Sequence, residues 1–137
     1  MFDMAALERA AAVAAARPAR EGLKVVLCVR QDLGMSAGKM CAQCAHAAVD
    51  LVLAAQAADP ATLAAWQAAG ATKIALQVPD SKELAALHAA AAVSGLPCTL
   101  IADAGRTQVP SGTVTVLGIG PAPASQIDCV TGSLALL

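Results

Sequence analysis

Lys24-Val25-Val26-Leu27-Cys28-Val29-Arg30 is an unbroken apolar run with a cation at each end. Its length and its β-branched residues suit a strand rather than a helix. A strand without polar–apolar alternation has no face to show to water, so both faces must be covered. That one segment rules out a sheet with a wet side and predicts a sheet held between layers of helix.

The rest of the chain supplies the layers. Gly34, Ser36 and Gly38 mark a loop, and a long helix is predicted from about Ser36 to Ala58. Asp59-Pro60 reads as an N-cap followed by proline at N1, opening a short helix that carries Trp66 and closes at Gly70. Lys73–Val78 is a second strand. Asp80 with Glu83 three residues on resembles a capping box, for a helix ending at Gly95. Pro97–Ala102 and Thr113–Ile119 are further strands, joined through the turn Val109-Pro110-Ser111-Gly112, which favours an antiparallel return. A last helix spans about 123–131. The order predicts an α/β domain: a four-stranded mixed, mostly parallel sheet with helices on both faces. Residues 4–16 favour a helix that Pro18 ends. With few large apolar groups, residues 1–21 read as an alanine-rich N-terminal extension and residues 22–137 as the domain.

The chain is 58% hydrophobic and 14% charged, so clustered polar groups stand out. Lys39, Gln43, His46 and Asp50 recur on the long helix at about 0°, 40°, −20° and 20°, a single stripe. A polar stripe is by default a solvated face. This one lacks the Glu/Lys pairs of such a face and starts beside the glycine loop. The apolar residues Met40, Cys44, Ala48, Leu51 and Val52 are expected opposite it. Asp103-Ala104-Gly105-Arg106-Thr107-Gln108 is the second cluster, following the third strand. A strand-end Asp-Ala-Gly is often only a turn whose carboxylate caps backbone N–H groups. Sites in sheets of this kind form at the carboxyl ends of strands, where Arg30, Asp103 and the start of the striped helix can converge.

Other features exclude functions. A net charge of −1 predicts no broad basic surface, and one Phe, one Trp and no Tyr nearly exclude base stacking. No run of roughly 20 apolar residues suggests a membrane span. The five cysteines are an odd count without a secretory layout, which suggests free thiols in a reducing compartment. Cys41-x-x-Cys44 sits inside a helix with no second pair, so buried structural thiols are expected and no metal site. His88 reads as filler. Gly118-Ile119-Gly120-Pro121-Ala122-Pro123 has the look of a phosphate loop but lacks its Lys-Ser/Thr pair, so a backbone turn is expected.

Taken together, Arg30-Gln31-Asp32-Leu33-x-Met35-x-x-Gly38-Lys39-x-x-Ala42-Gln43-Cys44-x-His46-Ala47 resembles the first signature of the type 2 (archaeal and eukaryotic) peptidyl-tRNA hydrolases. Asp103–Gln108 resembles their second. Thr115–Pro121 with Ile127-Asp128-x-Val130-Thr131-Gly132 is similar to their C-terminal block. The resemblance covers about residues 23–137. It implies cleavage of the ester between a nascent peptide and the 3′ ribose of tRNA, with peptidyl-tRNA (its CCA end and peptide) as partner. It also implies a four-stranded mixed sheet, no required cofactor, and dimerisation, hence an expected homodimer. Cys41 stands where the family usually has a small residue, and Ser133–Leu137 lacks the lysine often found there.

Family functional positions fall on Lys39, Gln43, His46, Asp103 and Thr107. The candidate catalytic set is therefore Lys39, Asp103, Thr107 and His46. Arg30, Gln43, Arg106 and Gln108 are the candidate substrate-binding set, and no metal ligand is assigned. Asp103 would polarise a water that Thr107 orients, while Lys39 stabilises an oxyanion or clamps a phosphate. Gln43 and His46 suit substrate positioning. No nucleophile elbow is visible. Neither Lys39 nor Asp103 belongs to the apolar core, so replacing either should barely move the melting temperature. The rival readings are a non-catalytic interaction module of the same fold and, on the cysteines alone, a thiol oxidoreductase. The expected location is the cytoplasm, with mitochondrial association open and no membrane partner.

Overall fold

The computed structural model describes residues 3–6, 8, 22–105 and 108–137. Strand β1 (Leu23–Arg30) lies inside the sheet, between β2 (Lys73–Val78) and β4 (Val114–Pro123). Strand β3 (Cys98–Ala102) lies beyond β4, giving the order β2-β1-β4-β3. β1 and β2 are parallel, and β4 runs antiparallel to both β1 and β3. β1, β2 and β3 thus point the same way, as expected. The difference is that β4 is inserted between them, so only the β1–β2 ladder is parallel. The connection from β3 to β4 is too short for a crossover and can only form a hairpin.

Helices α1 (Ala37–Ala58) and α2 (Pro60–Ala68) cover one face; α3 (Ser81–Val93) and α4 (Ala124–Thr131) cover the other. The apolar run of β1 splits between them. Val25, Leu27 and Val29 pack with Leu51, Leu63 and Trp66, while Val26 and Cys28 pack with Leu84, Leu87 and Ile127. The predicted caps form: Asp59 Oδ1 accepts from Thr62 N–H at 3.2 Å and Asp80 Oδ1 from Glu83 N–H at 2.9 Å.

Three expectations change. The Gly118–Pro123 segment is strand, not turn, because β4 runs on to Pro123. A glycine is needed there for close approach: at φ 115°, a Cβ on Gly120 would lie 2.5 Å from the Lys24 carbonyl oxygen. The polar stripe of α1 is not opposite its apolar face. The buried row is Gln43, Ala47, Leu51 and Ala55, so the stripe and the core share Gln43. Finally, α1 is by length and composition long and apolar enough to cross a membrane, since alanine dilutes its polar residues. Ala47, Leu51 and Ala55 pack it on the sheet.

Beyond β2, Gln77 N–H donates to Ala135 O at 2.8 Å and Leu137 N–H to Ala75 O at 3.0 Å. The C-terminal residues thereby cover the outer edge of β2. At the other end, Met4–Ala6 and Glu8 are helical and exposed. The remainder of the predicted 4–16 helix, and Pro18, lie outside the described residues.

Candidate active site

Asp103 is the first residue after β3. Its N–H donates to Thr113 O and its carbonyl accepts from Gly112 N–H, both at 2.8 Å, so the hairpin fixes its backbone. Its Oδ2 accepts from Gly105 N–H at 2.6 Å. Gly105 has φ 75°, and a Cβ there would sit 2.6 Å from Ser111 Cβ. Only glycine closes this turn. The carboxylate therefore does cap the turn, as the plain structural reading held. Its other oxygen, Oδ1, takes a hydrogen bond from Lys39 Nζ, and the two side chains are 10% and 4% exposed. The Lys39 ammonium beside Asp103 holds its carboxyl below the usual carboxylate range. Burial opposes that shift and the Gly105 N–H assists it.

Lys39 reaches Asp103 from the first turn of α1. Its position is set by Ser36, the N-cap, whose Oγ accepts from Lys39 N–H at 3.2 Å. The loop after β3 grips the same cap. Gln108 Oε1 accepts from Ser36 N–H, and Gln108 Nε2 donates to Ser36 Oγ, both at 2.8 Å. From this start the stripe runs along one wall of an open cleft of about 440 Å³. Lys39, Gln43, His46 and Asp50 line one side and Leu100 to Ala104 the other.

Gln43 is 3% exposed and donates through Nε2 to Thr115 Oγ1 at 2.7 Å. Thr115 in turn donates to the Ile101 carbonyl at 3.3 Å. The direction of this chain is forced, because a backbone carbonyl can only accept. It leaves Oε1 as the remaining acceptor of Gln43. Thr115 can reach both partners because it is the extra residue of a β-bulge: Ile101 pairs with Val116 but Ala102 with Val114. Sequence reading missed Thr115. Its signal in the sequence was a lone polar residue within an otherwise apolar strand.

The other candidates divide. His46 and Asp50 line the cleft and are exposed. Gln108 spends both ends of its amide on Ser36. Arg30 grips Asp32 through Nε at 3.0 Å and Nη2 at 2.7 Å, and gives Nη1 to the Val114 carbonyl at 2.9 Å. It is bound at the strand end and does not line the cleft. Arg106 and Thr107 lie outside the described residues. Cys41 is exposed and Cys44 half-buried, which corrects the expectation of two buried thiols. Burial pushes the Cys44 thiol up, and Cys28, in the core, to about 12, so neither is an activated nucleophile. His88 is half-buried on α3. Among the described residues no group of three or more His, Cys, Asp or Glu is placed to hold a metal ion.

The shielded Lys39–Asp103 pair thus sits at the carboxyl end of a strand of a four-stranded α/β domain and opens on a polar cleft, the place where sites in such sheets form. Residues 23–137 match the family model described as Peptidyl-tRNA hydrolase PTH2, and the chain belongs to that family. It is 50% identical over 113 residues to "Peptidyl-tRNA hydrolase 2, mitochondrial" of Homo sapiens, covering 82% of this chain. It is 49% identical over 136 residues, 99% of this chain, to "Probable peptidyl-tRNA hydrolase 2" of Schizosaccharomyces pombe. It spans 63% and 65% of those two proteins' lengths. With "Peptidyl-tRNA hydrolase" of Methanocaldococcus jannaschii it shares 42% identity over 115 residues, 84% of this chain and all of that protein.

Proposed function

We propose that this chain hydrolyses the ester joining a peptide to the 3′ ribose of tRNA, releasing the peptide and free tRNA. The observation that carries the reading is the Lys39–Asp103 pair, shielded from water yet lining the cleft. Membership of the family supports it. Lys39 has two further N–H donors beyond the one given to Asp103. These stabilise the oxyanion as water adds to the ester carbonyl. Removing one such donor typically lowers the rate ~10²–10³-fold. Asp103, held in its ionised form, is a weak base, so its first task is to aim Lys39. It also hydrogen-bonds the attacking water, and orienting that water is the role proposed for Thr107. His46, exposed in the cleft, is proposed to take up the proton that the attacking water loses and to pass it to the departing 3′ oxygen. Gln43 offers its Oε1 to a substrate hydroxyl or N–H.

Arg106 is proposed to contact the tRNA backbone near its CCA end. Arg30 and Gln108 contribute there only by exchanging their present partners, Asp32 and Ser36. Residues 22–137 are proposed as the hydrolase domain, with residues 1–21 as its alanine-rich N-terminal extension. The protein acts as a homodimer, supported by Val49 and Leu53 one turn apart on α1, 57% and 59% exposed. It works in the cytoplasm, with an association to mitochondria supported by the names of the human and bovine relatives. The test is direct. N-acetyl-aminoacyl-tRNA is incubated with the protein, and deacylated tRNA should appear. Intact substrate after prolonged incubation rejects the reading in favour of a non-catalytic module.

A further inference from the structure

The two edges of the sheet are treated differently. The outer edge of β2 is covered by Ala135–Leu137, whereas among the described residues no strand pairs with the outer edge of β3. The backbone of β3 alternates. Pro97 O accepts from Gly120 N–H, and Asp103 bonds Thr113 and Gly112, all at 2.8 Å. Ile101 O accepts from Thr115 Oγ1. The odd-numbered residues thus turn toward β4. By the antiparallel pattern, Cys98, Leu100 and Ala102 turn their N–H and C=O groups outward. Leu100 is 37% exposed, and Leu100 and Ala102 both line the cleft that holds Lys39 and Asp103.

We propose that the free edge of β3 binds the peptide part of the substrate as an added parallel strand. The inference rests on the reading of the chain as a peptidyl-tRNA hydrolase. Direction follows from the position of the pair. Asp103 comes immediately after β3, so a peptide running parallel to β3 brings its esterified carboxyl end to Lys39 and Asp103. An antiparallel peptide brings its amino end there instead. In the parallel register the third residue from the ester donates its N–H to Leu100 O and accepts from Ala102 N–H. The esterified residue donates its N–H to Ala102 O, and its carbonyl extends past the strand to the pair. The second residue turns its backbone away. Recognition by main chain is indifferent to side chains, which suits an enzyme that must accept nascent peptides of any sequence.

The test uses the intact protein and a series of tRNA esters. N-acetyl-tripeptidyl-tRNA should be cleaved with kcat/KM about 10-fold above N-acetyl-aminoacyl-tRNA, since each added backbone hydrogen bond is worth roughly 2–10-fold. Changing the tripeptide sequence should alter that by less than about twofold. N-methylation of the third residue from the ester should erase the advantage, and N-methylation of the second should not. Ala102→Pro, which removes an outward N–H that an edge strand can spare, should shrink the ratio of the two rates toward one. Equal rates for long and short esters, or equal effects of the two N-methyl groups, overturn the proposal while leaving the hydrolase reading in place. Failure to cleave any ester overturns both.

Discussion

Lys24 and Asp128 meet at 2.6 Å at the start of β1, with the carboxylate 52% exposed. Lys39 and Asp103 meet at the end of β3 with both side chains almost closed off from water. The chemistry is the same and the lysines are shielded alike, at 15% and 10% exposed, so the difference lies in the carboxylates, 52% against 4%. An exposed pair adds at most about 1 kcal/mol and is screened by salt. A shielded pair must recover the desolvation of two ions and is seldom the most stabilising choice for its site. The first pair can therefore be understood as surface structure. The second needs another reason to persist, and the cleft beside it supplies one.

The largest expected effects fall on the shielded pair. Lys39→Ala and Asp103→Asn should each lower kcat at least ~10²-fold, as for loss of an oxyanion donor or its support. Each should also lower the melting temperature, because the surviving partner is left with no counter-charge. This revises the expectation from sequence that stability would barely move. Single-turnover hydrolysis with thermal denaturation of the same samples checks both parts.

Acid separates the pairs next. The folded-state pKa of Asp103 lies below its ordinary value of 3.8, so ionisation stabilises the fold. That contribution is fully present above the unfolded value and is lost as pH falls through the folded one. The melting-temperature difference between the native protein and Lys39→Met/Asp103→Asn should stay constant above about pH 5 and move toward the variant below about pH 4. A difference that already changes between pH 5 and 8 contradicts an Asp103 held ionised.

The smallest effects belong to groups outside the cleft. Lys24→Ala should change stability by less than about 1 kcal/mol and leave kcat within about twofold. Cys41→Ala with Cys44→Ala should retain most activity, as neither thiol lines the cleft. A ~10²-fold loss in the cysteine variant, measured by the same assay, revives the thiol reading.

Much of this contrast was legible in the chain itself. The run Lys24–Arg30 announced a covered sheet, and the Asp59 and Asp80 caps set where helices begin. Lys39, Gln43, His46 and Asp50 announced a shared stripe. What escaped notice depends on distance in space. The insertion of β4 between β1 and β3 follows from which sheet edge a hairpin returns to, which no local pattern encodes. Gln108 was expected to face substrate, yet it clamps Ser36, 72 residues away. Thr115 gained its role from a bulge, and a bulge leaves no period in sequence. Gln43 belongs to the polar stripe and the buried row at once, a duality visible only when the helix is docked.

The central claim is that the Lys39–Asp103 pair is kept for chemistry and not for stability. Lys39→Met/Asp103→Asn tests it most directly, because it removes both charges and leaves no unpaired ion behind. Its melting temperature should return to within a few degrees of the native protein, well above either single variant. Its hydrolysis of N-acetyl-aminoacyl-tRNA should stay at least ~10²-fold below native, little worse than the poorer single variant. Activity that recovers together with the melting temperature would show that the pair serves only the fold.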